Sequence, residues 1–213
     1  ITRRYEEEFE NFHLHRIPNG GLGHARNYAV PFAVGKYITF LDSDDIIPDE
    51  TYEKMFLLAE QNGSDLTICN FMRYTPQKTW SSGLQYKAFH NIEPVTHIKE
   101  HSNLIYDTTS CGKLILRSFY LKYDFCFPEN VLYEDIPFSI RAHYLANRVS
   151  VLMECGYLWR VREGVSKSIS QNTSNIENLY SRIKIMKILD DFFEKEVKEP
   201  WLVKKKQIRN LDL

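Results

Sequence analysis

Residues 37–45 read YITFLDSDD, an apolar run that ends directly in an acidic turn. Continuous apolar strands of this kind are typical of parallel sheets covered on both faces. Asp49 is expected to cap a following helix, which Asn62-Gly63 would stop. A second strand follows at 65–72. This alternation of strand, helix and strand predicts an α/β fold with a doubly wound sheet.

The remaining elements are predicted from periodicity and from turn residues. Pro31 lies inside one predicted helix, and it should kink that helix or shift its hydrogen bonding. Residues 73–100 carry a weak signal, which indicates a hairpin and loops over a cleft. The other predicted elements are strands at 12–17 and 149–161, helices at 22–34, 136–147 and 175–193, and a linker at 201–213. Gly156 is expected to break the strand at 149–161.

The acidic turn places Asp42, Asp44 and Asp45 directly after the first strand. In open α/β sheets, ligands bind outside the carboxyl ends of strands. Three carboxylates in one turn repel one another, and a divalent cation would offset that repulsion. Manganese and magnesium ions prefer such oxygen ligands and also bridge phosphates. The turn is therefore a candidate metal and phosphate site.

Three other interpretations of the acidic turn are open. An EF-hand loop would need a ligand and a glycine where Ile46 and Ile47 stand. A phosphatase of the haloacid dehalogenase type would continue D-x-D-G-T, whereas Asp45 is followed here by isoleucine. In the third interpretation the aspartates only cap a turn.

A glycine-rich turn lies upstream at residues 19–27, NGGLGHARN. Glycines before a helix let backbone amides approach an anion, and the helix dipole favours negative charge there. Arg26 would add a permanent positive charge for a phosphate group. This is not a Walker loop, since no G-K-[ST] follows. The alternative is a plain turn with a surface arginine. His24 is expected at the surface or behind the ligand-binding residues rather than as a ligand.

Together, N-x-G-x(3)-A-R-N and G-K-Y-I-T-F-L-D-S-D-D resemble glycosyltransferase family 2. The joint spacing over residues 19–45 makes the signal specific. The matching positions are Asn19, Gly21, Ala25, Arg26, Asn27, Gly35, Tyr37, Ile38, Phe40, Leu41, Asp42, Ser43, Asp44 and Asp45.

The resemblance implies a GT-A fold, a Rossmann-like mixed sheet flanked by helices, here with a C-terminal helical segment. It also implies a nucleotide-sugar site that includes Arg26. Asp42 would contact the donor's ribose or its metal-bound diphosphate, and Asp44 would hold the manganese or magnesium ion. Asp45 would support them at the same nucleotide-sugar site.

Downstream, Tyr133-Glu134-Asp135 opens the helix predicted at 136–147 and resembles the family's E-D motif. The resemblance makes Asp135 the catalytic base, which takes the acceptor's hydroxyl proton as the new bond forms. Glu134 would support it. A single displacement would invert the sugar's configuration. The ordinary alternative is that acidic residues favour helix N-termini electrostatically.

Two further stretches fit the same family. Cys111-Gly112-Lys113-Leu114 resembles its K-L segment, which implies a place for Lys113 beside the acceptor cleft. Residues 157–164, followed by 166–170, resemble the Y-x-W-R-x-R-x-G…S-I stretch of cell-wall polymer enzymes. In that reading Arg160 or Arg162 reaches the donor phosphates, and the alternative is a pair of surface arginines at a strand end.

The amino-acid composition narrows the functional class and the cellular setting of the protein. The 213 residues carry 27 Lys plus Arg and 28 Asp plus Glu, a net charge of −1, which argues against nucleic-acid binding. Four cysteines without a CxxC pair favour a reducing, cytoplasmic setting. No apolar run approaches the roughly 20 residues that span a bilayer. The basic run Lys204–Lys206 would allow contact with the inner face of the membrane.

These features predict an inverting, metal-dependent glycosyltransferase that uses a nucleotide sugar, preferably a UDP-sugar. The acceptor would be a cell-surface glycan or a teichoic-acid-like polymer, because the chain looks most like the domain that precedes CDP-glycerol glycerophosphotransferase domains in teichoic-acid and capsule synthesis. We expect a GT-A domain at 1–170 without its N-terminal nucleobase-binding part, then a helix and linker at 171–213 that leads to a further domain. A catalytically silent binding module and a phosphohydrolase are the alternatives.

Overall fold

The computed structural model of the protein describes residues 2–162 and 176–210. Helices and strands alternate along most of this length. The helices are α1 Thr2–Glu8, α2 Gly21–Ala29, α3 Thr51–Asn62, α4 Gly83–Phe89, α5 Arg117–Lys122, α6 Asp135–Leu145, α7 Ile176–Glu196 and α8 Pro200–Asn210. The strands are β1 Tyr37–Ile38, β2 Leu66–Thr75, β3 Lys78–Trp80, β4 Val95–Thr96, β5 Lys113–Leu116 and β6 Val149–Arg160. Short 3-10 turns lie at Val30–Phe32 and Ser102–Tyr106.

The six described strands form one mixed sheet in the order β1-β5-β2-β6-β4, and β3 pairs with β2 as a hairpin. β2 and β6 are parallel, whereas β5 is antiparallel to both β1 and β2. The carboxyl ends of β1, β2 and β6 therefore lie at the same edge. The predicted α/β class and mixed GT-A sheet are confirmed.

The sheet lies between two apolar clusters. Neighbouring residues on β5 alternate between them: Leu114 packs with Met55 and Ala59 of α3, whereas Ile115 packs in the larger cluster with α6 and α7. Phe127 and Phe138 stack in the larger cluster, with ring centroids 4.1 Å apart. Alternation of side chains across a strand explains why helices cover both faces.

The structure confirms several predicted ends of helices and strands and shows their physical causes. Gly63 ends α3 with a left-handed backbone, φ 59°, as the Asn62-Gly63 stop signal predicts. Pro31 shifts the hydrogen bonding from α2 into a 3-10 turn. The long downstream helices and the strand that begins near residue 65 also form.

The first predicted strand is shorter than expected. Only Tyr37 and Ile38 pair as β1, and Phe40 makes a separate bridge to Cys111. Ile38 and Phe40 are buried, while Thr39 and Leu41 are exposed. This alternation covers one face of the segment, so the expected burial on both faces is wrong.

Four other expectations are wrong among the described residues. Residues 12–17 form no strand, and Glu50 rather than Asp49 precedes α3, without a side-chain cap. β6 continues through Gly156, where a Cβ atom would come within 2.8 Å of the Cys69 sulfur. Residues 200–210, expected as a linker, form α8, whose Leu202 is 1% exposed in the larger cluster.

The proposed division at residue 170 lies between the two described ranges and stays a prediction. Within those ranges, none of the helices combines the length and the apolar character that crossing a bilayer requires. Lys206, part of the expected basic patch, is buried and pairs with Asp190. That leaves Lys204 and Lys205 as the remaining lysines of that patch.

Candidate functional site

The glycine-rich turn packs α2 against the segment that precedes α6. Gly23 is buried, and a Cβ atom there would lie 2.3 Å from the carbonyl oxygen of Pro128. The amide of Asn27 donates to the carbonyl of Phe127 at 2.9 Å, and its oxygen accepts from the Phe127 N–H at 2.8 Å. These reciprocal bonds fix residues 127–128 on α2. His24, expected at the surface, is half-buried there and lies 3.1 Å from Glu129.

Arg26 extends from the same helix and joins the two acidic motifs. Its guanidinium donates to Asp42 at 2.9 Å and to Glu134 at 2.6 Å. It also lies over the Phe127 ring, 5.3 Å from the ring centroid. Only 10% of the Arg26 side chain is exposed. Arginine suits this position because its planar fork binds two carboxylates at once.

Asp45 anchors the acidic turn to β6. It accepts the Tyr157 hydroxyl at 2.6 Å on one oxygen and the Arg160 N–H at 2.8 Å on the other. Ile46 and Leu158 exchange two backbone bonds beside it. Burial raises the pKa of Asp45, although both hydrogen bonds act against this rise. The geometry favours the supporting role, since a nucleotide would have to displace one of these donors.

Asp44 faces solvent and pairs with Arg162 at 2.6 Å. The two side chains are 38% and 48% exposed, so this ion pair is open to exchange with ligands. The Arg160 side chain is exposed, and its backbone holds the turn. The Ser166–Ser170 part of the sequence motif lies outside the described residues.

Asp135 begins α6, directly after Glu134. Burial and, after it, the neighbouring Glu134 carboxylate raise the pKa of Asp135 to about 7, and Arg26 acts against this rise. A carboxyl group with a pKa near neutrality can accept a proton at physiological pH. Tyr133 precedes the pair with φ 66°, a strained conformation for a non-glycine residue. The Tyr133 hydroxyl is held by Asn178 of α7 at 3.0 Å.

Lys113 lies in the protein interior, and its acceptor-side or supporting role stays a prediction. Its side chain is 1% exposed, and its ammonium donates to Asp107 at 2.6 Å. His143 contacts the same Asp107 oxygen at 2.8 Å. Burial alone would raise the pKa of Asp107, but Lys113 and His143 bring it below its ordinary value. Lys113 can support the site only through this buried triad.

Sequence reasoning missed Asp107, His143 and the anchoring role of Tyr157. Asp107 and His143 are 36 residues apart and belong to no motif, so no local pattern marks them. Tyr157 stands in the Y-x-W-R stretch, but its partner Asp45 lies 112 residues away. Such pairs become visible only when the sheet brings the segments together.

The acidic turn fits a divalent ion that is completed by substrate. No group of three or more histidine, cysteine, aspartate or glutamate residues is arranged to hold a metal within residues 2–162 and 176–210. Asp42 and Asp44 supply two partly exposed carboxylates. Magnesium is commonly held by one or two carboxylates together with substrate phosphates and water. The donor set therefore fits magnesium or manganese with a phosphorylated ligand.

Comparison with known proteins agrees with this geometry. The Glycosyl transferase family 2 profile matches residues 1–124. The chain belongs to glycosyl transferase family 2.

Two curated relatives and one solved structure are similar over most of this chain. A poly(ribitol-phosphate) beta-glucosyltransferase of Bacillus spizizenii is 27% identical over 80% of this chain and 26% of its own length. The uncharacterized glycosyltransferase EpsJ of Bacillus subtilis is 30% identical over 75% of this chain and 48% of its own length. The structure of Staphylococcus aureus TarS 1–349 with UDP-GlcNAc has a TM-score of 0.64 at 22% identity, over 91% of this chain and 60% of that one. The chain thus spans half or less of these curated relatives, and the TarS likeness shows the fold.

Proposed function

We propose that the protein is an inverting, metal-dependent glycosyltransferase that moves a sugar from a UDP-sugar to a hydroxyl of a teichoic-acid-like polymer. The observation that carries the proposal is the Arg26 bridge. Arg26 joins Asp42 in the acidic turn to Glu134, next to Asp135. A donor-side group and a candidate base are therefore held in one network, as a transfer between two substrates requires.

In this proposal Asp135 accepts the proton of the acceptor hydroxyl. The oxygen forms its bond to the sugar's C1 as the bond from C1 to the diphosphate oxygen breaks, and the electron pair leaves with the nucleotide diphosphate. One displacement at C1 inverts its configuration. A pKa near 7 suits a base that works at neutral pH.

Asp42 and Asp44 would hold the divalent ion, which supplies charge neutralisation for the departing diphosphate when it is bound. In this proposal the Arg162 side chain leaves Asp44 and binds the diphosphate. The Arg162–Asp44 ion pair is about half exposed, so it can exchange partners. Arg26 is mostly buried and keeps the carboxylates oriented.

The substrate assignment is supported by the relatives. One of them is named for glucosyl transfer to poly(ribitol-phosphate), and the TarS structure was determined with UDP-GlcNAc. We place the reaction in the cytoplasm at the inner face of the membrane, where the four unpaired cysteines are compatible with a reducing setting. Fusion to a further domain stays a prediction.

The test is a panel of nucleotide sugars with manganese and a ribitol-phosphate oligomer, read as release of nucleotide diphosphate and transfer of sugar to the oligomer. Asp135→Asn should bind the donor but lose roughly 10²–10⁴-fold in turnover, the usual contribution of a positioned base. Asp124→Asn is the matched control. It makes the same chemical change at an exposed position whose φ of 48° suits asparagine.

Retention of turnover in Asp135→Asn would remove Asp135 from the mechanism. Donor binding without turnover by the unmodified chain would instead favour a catalytically silent binding module. Phosphate ester hydrolysis in the absence of any acceptor would favour a phosphohydrolase.

A further inference from the structure

Three register-paired side chains lie in a row across the β2–β3 hairpin and β6, and a fourth, Lys78, lies against one end of that row. Arg73 is the register partner of Trp80 on β3 and of Trp159 on β6. Register partners share one face of a sheet. The Arg73 guanidinium lies over the Trp159 ring, 5.1 Å from its centroid, and the Lys78 ammonium lies over Trp80 at 4.9 Å. We call Trp159, Arg73, Trp80 and Lys78 the hairpin row.

The cations of the hairpin row have no carboxylate partner among the described residues. This contrasts with Arg26, Lys113 and Arg162, which all pair with carboxylates. Residues 66–92 contain no aspartate or glutamate at all. The Nε of Arg73 is buried without a hydrogen-bond partner. The row is therefore a local excess of positive charge set on aromatic rings.

The hairpin row is continuous with the acidic turn. Tyr157, whose hydroxyl binds Asp45, lies two residues before Trp159 and so on the same face of β6. Two residues along a strand are roughly 7 Å. The backbone of the next residue, Arg160, also binds Asp45. A chain bound over the row would thus pass directly beside the acidic turn.

We propose that the hairpin row binds the backbone of the acceptor as an anionic polyol-phosphate polymer, an inference that rests on the proposed function. The two half-buried tryptophans offer apolar rings to the polyol carbons, and Arg73 and Lys78 offer charges to the phosphodiesters. The row crosses three strands, which is roughly 10 Å from Trp159 to Trp80. That length exceeds one phosphate group and suits a repeating ligand.

Binding is measured by calorimetry with a ribitol-phosphate oligomer, in the absence of donor, on the full chain. Trp80→Ala and Arg73→Gln should each raise the dissociation constant roughly fivefold or more, as truncation of an important contact does. Arg73→Lys keeps the charge and should retain most of the affinity. Trp201→Ala is the matched control, because Trp201 is 55% exposed and belongs to α8 rather than to the hairpin or β6.

Two further ligands distinguish the sources of affinity. Free ribitol and inorganic phosphate should each bind far more weakly than the oligomer, and higher salt should weaken oligomer binding. If inorganic phosphate alone competes as well as the oligomer, the row is a simple anion site and the polymer proposal is wrong. Circular dichroism confirms that the variants fold. If Trp80→Ala does not fold, Arg73→Gln carries the test, with Arg73→Lys as its charge-keeping control.

Failure of this inference can be told from failure of the proposed function. Equal oligomer binding by wild type, Trp80→Ala and Arg73→Gln overturns the hairpin row even if the sugar is transferred. Oligomer binding that depends on the row supports the inference even if no nucleotide sugar turns over. Where transfer is observed, the row variants should raise the KM for oligomer and leave acceptor-independent hydrolysis of the donor unchanged.

Discussion

Two clusters of carboxylates and cations lie in the same domain in opposite environments. The triad of Asp107, Lys113 and His143 is at most 2% exposed and is closed to solvent. The acidic turn has ion pairs of similar length, but Asp42 and Asp44 are 36% and 38% exposed. The two clusters therefore have similar ion-pair distances but differ in solvent exposure.

Solvent access explains the difference. A buried charge has lost its water and depends on its partner, so removal of one partner leaves an uncompensated charge. An exposed pair is screened and can exchange one partner for another at little cost. The buried triad should therefore matter for folding, and the acidic turn should matter for ligand binding.

The largest expected effect is on the triad. Lys113→Met should lower the free energy of unfolding by about 3–5 kcal/mol, because Asp107 would remain buried with only His143 as its partner. Urea denaturation measures it. Lys54→Met is the matched control, since Lys54 forms an exposed pair with Glu154 at 2.9 Å and its loss should change stability much less.

A triple variant sharpens this prediction. Asp107→Leu, Lys113→Met and His143→Leu together remove all three polar groups, and they should recover much of the stability that Lys113→Met loses. If the single variant is as stable as Lys54→Met, the triad is no more important than a surface pair and the contrast fails.

The second effect is on the acidic turn. Asp44→Asn should weaken manganese-dependent donor binding roughly 10- to 100-fold, equivalent to about 1.4–2.8 kcal/mol. The free energy of unfolding should change by less than about 1 kcal/mol, because the Asp44–Arg162 pair is exposed. Calorimetry and urea denaturation on the same samples separate the two quantities. A loss of stability without a loss of binding would reverse the assignment of the two clusters.

Much of the fold follows from local sequence signals. Gly63, Pro31 and the apolar periodicity of α6 and α7 act within a few residues, so they can be read along the chain. The failures have non-local causes. Apolar and polar residues alternate along 12–17 as in a strand, but this segment forms no β-strand with any other described segment. Helix α8 forms where Leu202 can be buried against the core.

The candidate site likewise contains features that local motifs predict and features that depend on contacts between distant segments. Arg26, Asp42 and Asp135 were found because the joint spacing of their motifs resembles a family, and the structure places Arg26 against Asp42 and Glu134. Lys113 is predicted from the family resemblance of residues 111–114, and that local pattern does not reveal that its side chain is buried. Its buried ammonium pairs with Asp107, whose carboxylate also contacts His143 from another segment of the chain.

The third effect is on pH dependence. Asp135 has a pKa of about 7, so turnover should fall about tenfold for each pH unit below that value as the base becomes protonated. Between about pH 4 and 7 the folded chain keeps a proton that the unfolded chain has released, so the free energy of unfolding should fall as pH rises. Asp135→Asn should flatten this slope, and a slope unchanged by that substitution would contradict the raised pKa.

The smallest expected effect concerns how readily the carboxylates of the acidic turn exchange partners. Arg162 competes with a metal ion for Asp44, so Arg162→Ala should tighten manganese binding about two- to fivefold, the equivalent of one exposed ion pair. Calorimetry with manganese alone measures this without turnover. Arg160→Ala is the control, because it removes an exposed charge nearby while the backbone bond to Asp45 remains.

If both variants tighten binding equally, the cause is the general field of positive charge rather than the Asp44 pair. If Arg162→Ala weakens manganese binding, Arg162 supports the metal site and the acidic turn is less open to exchange than its exposure indicates.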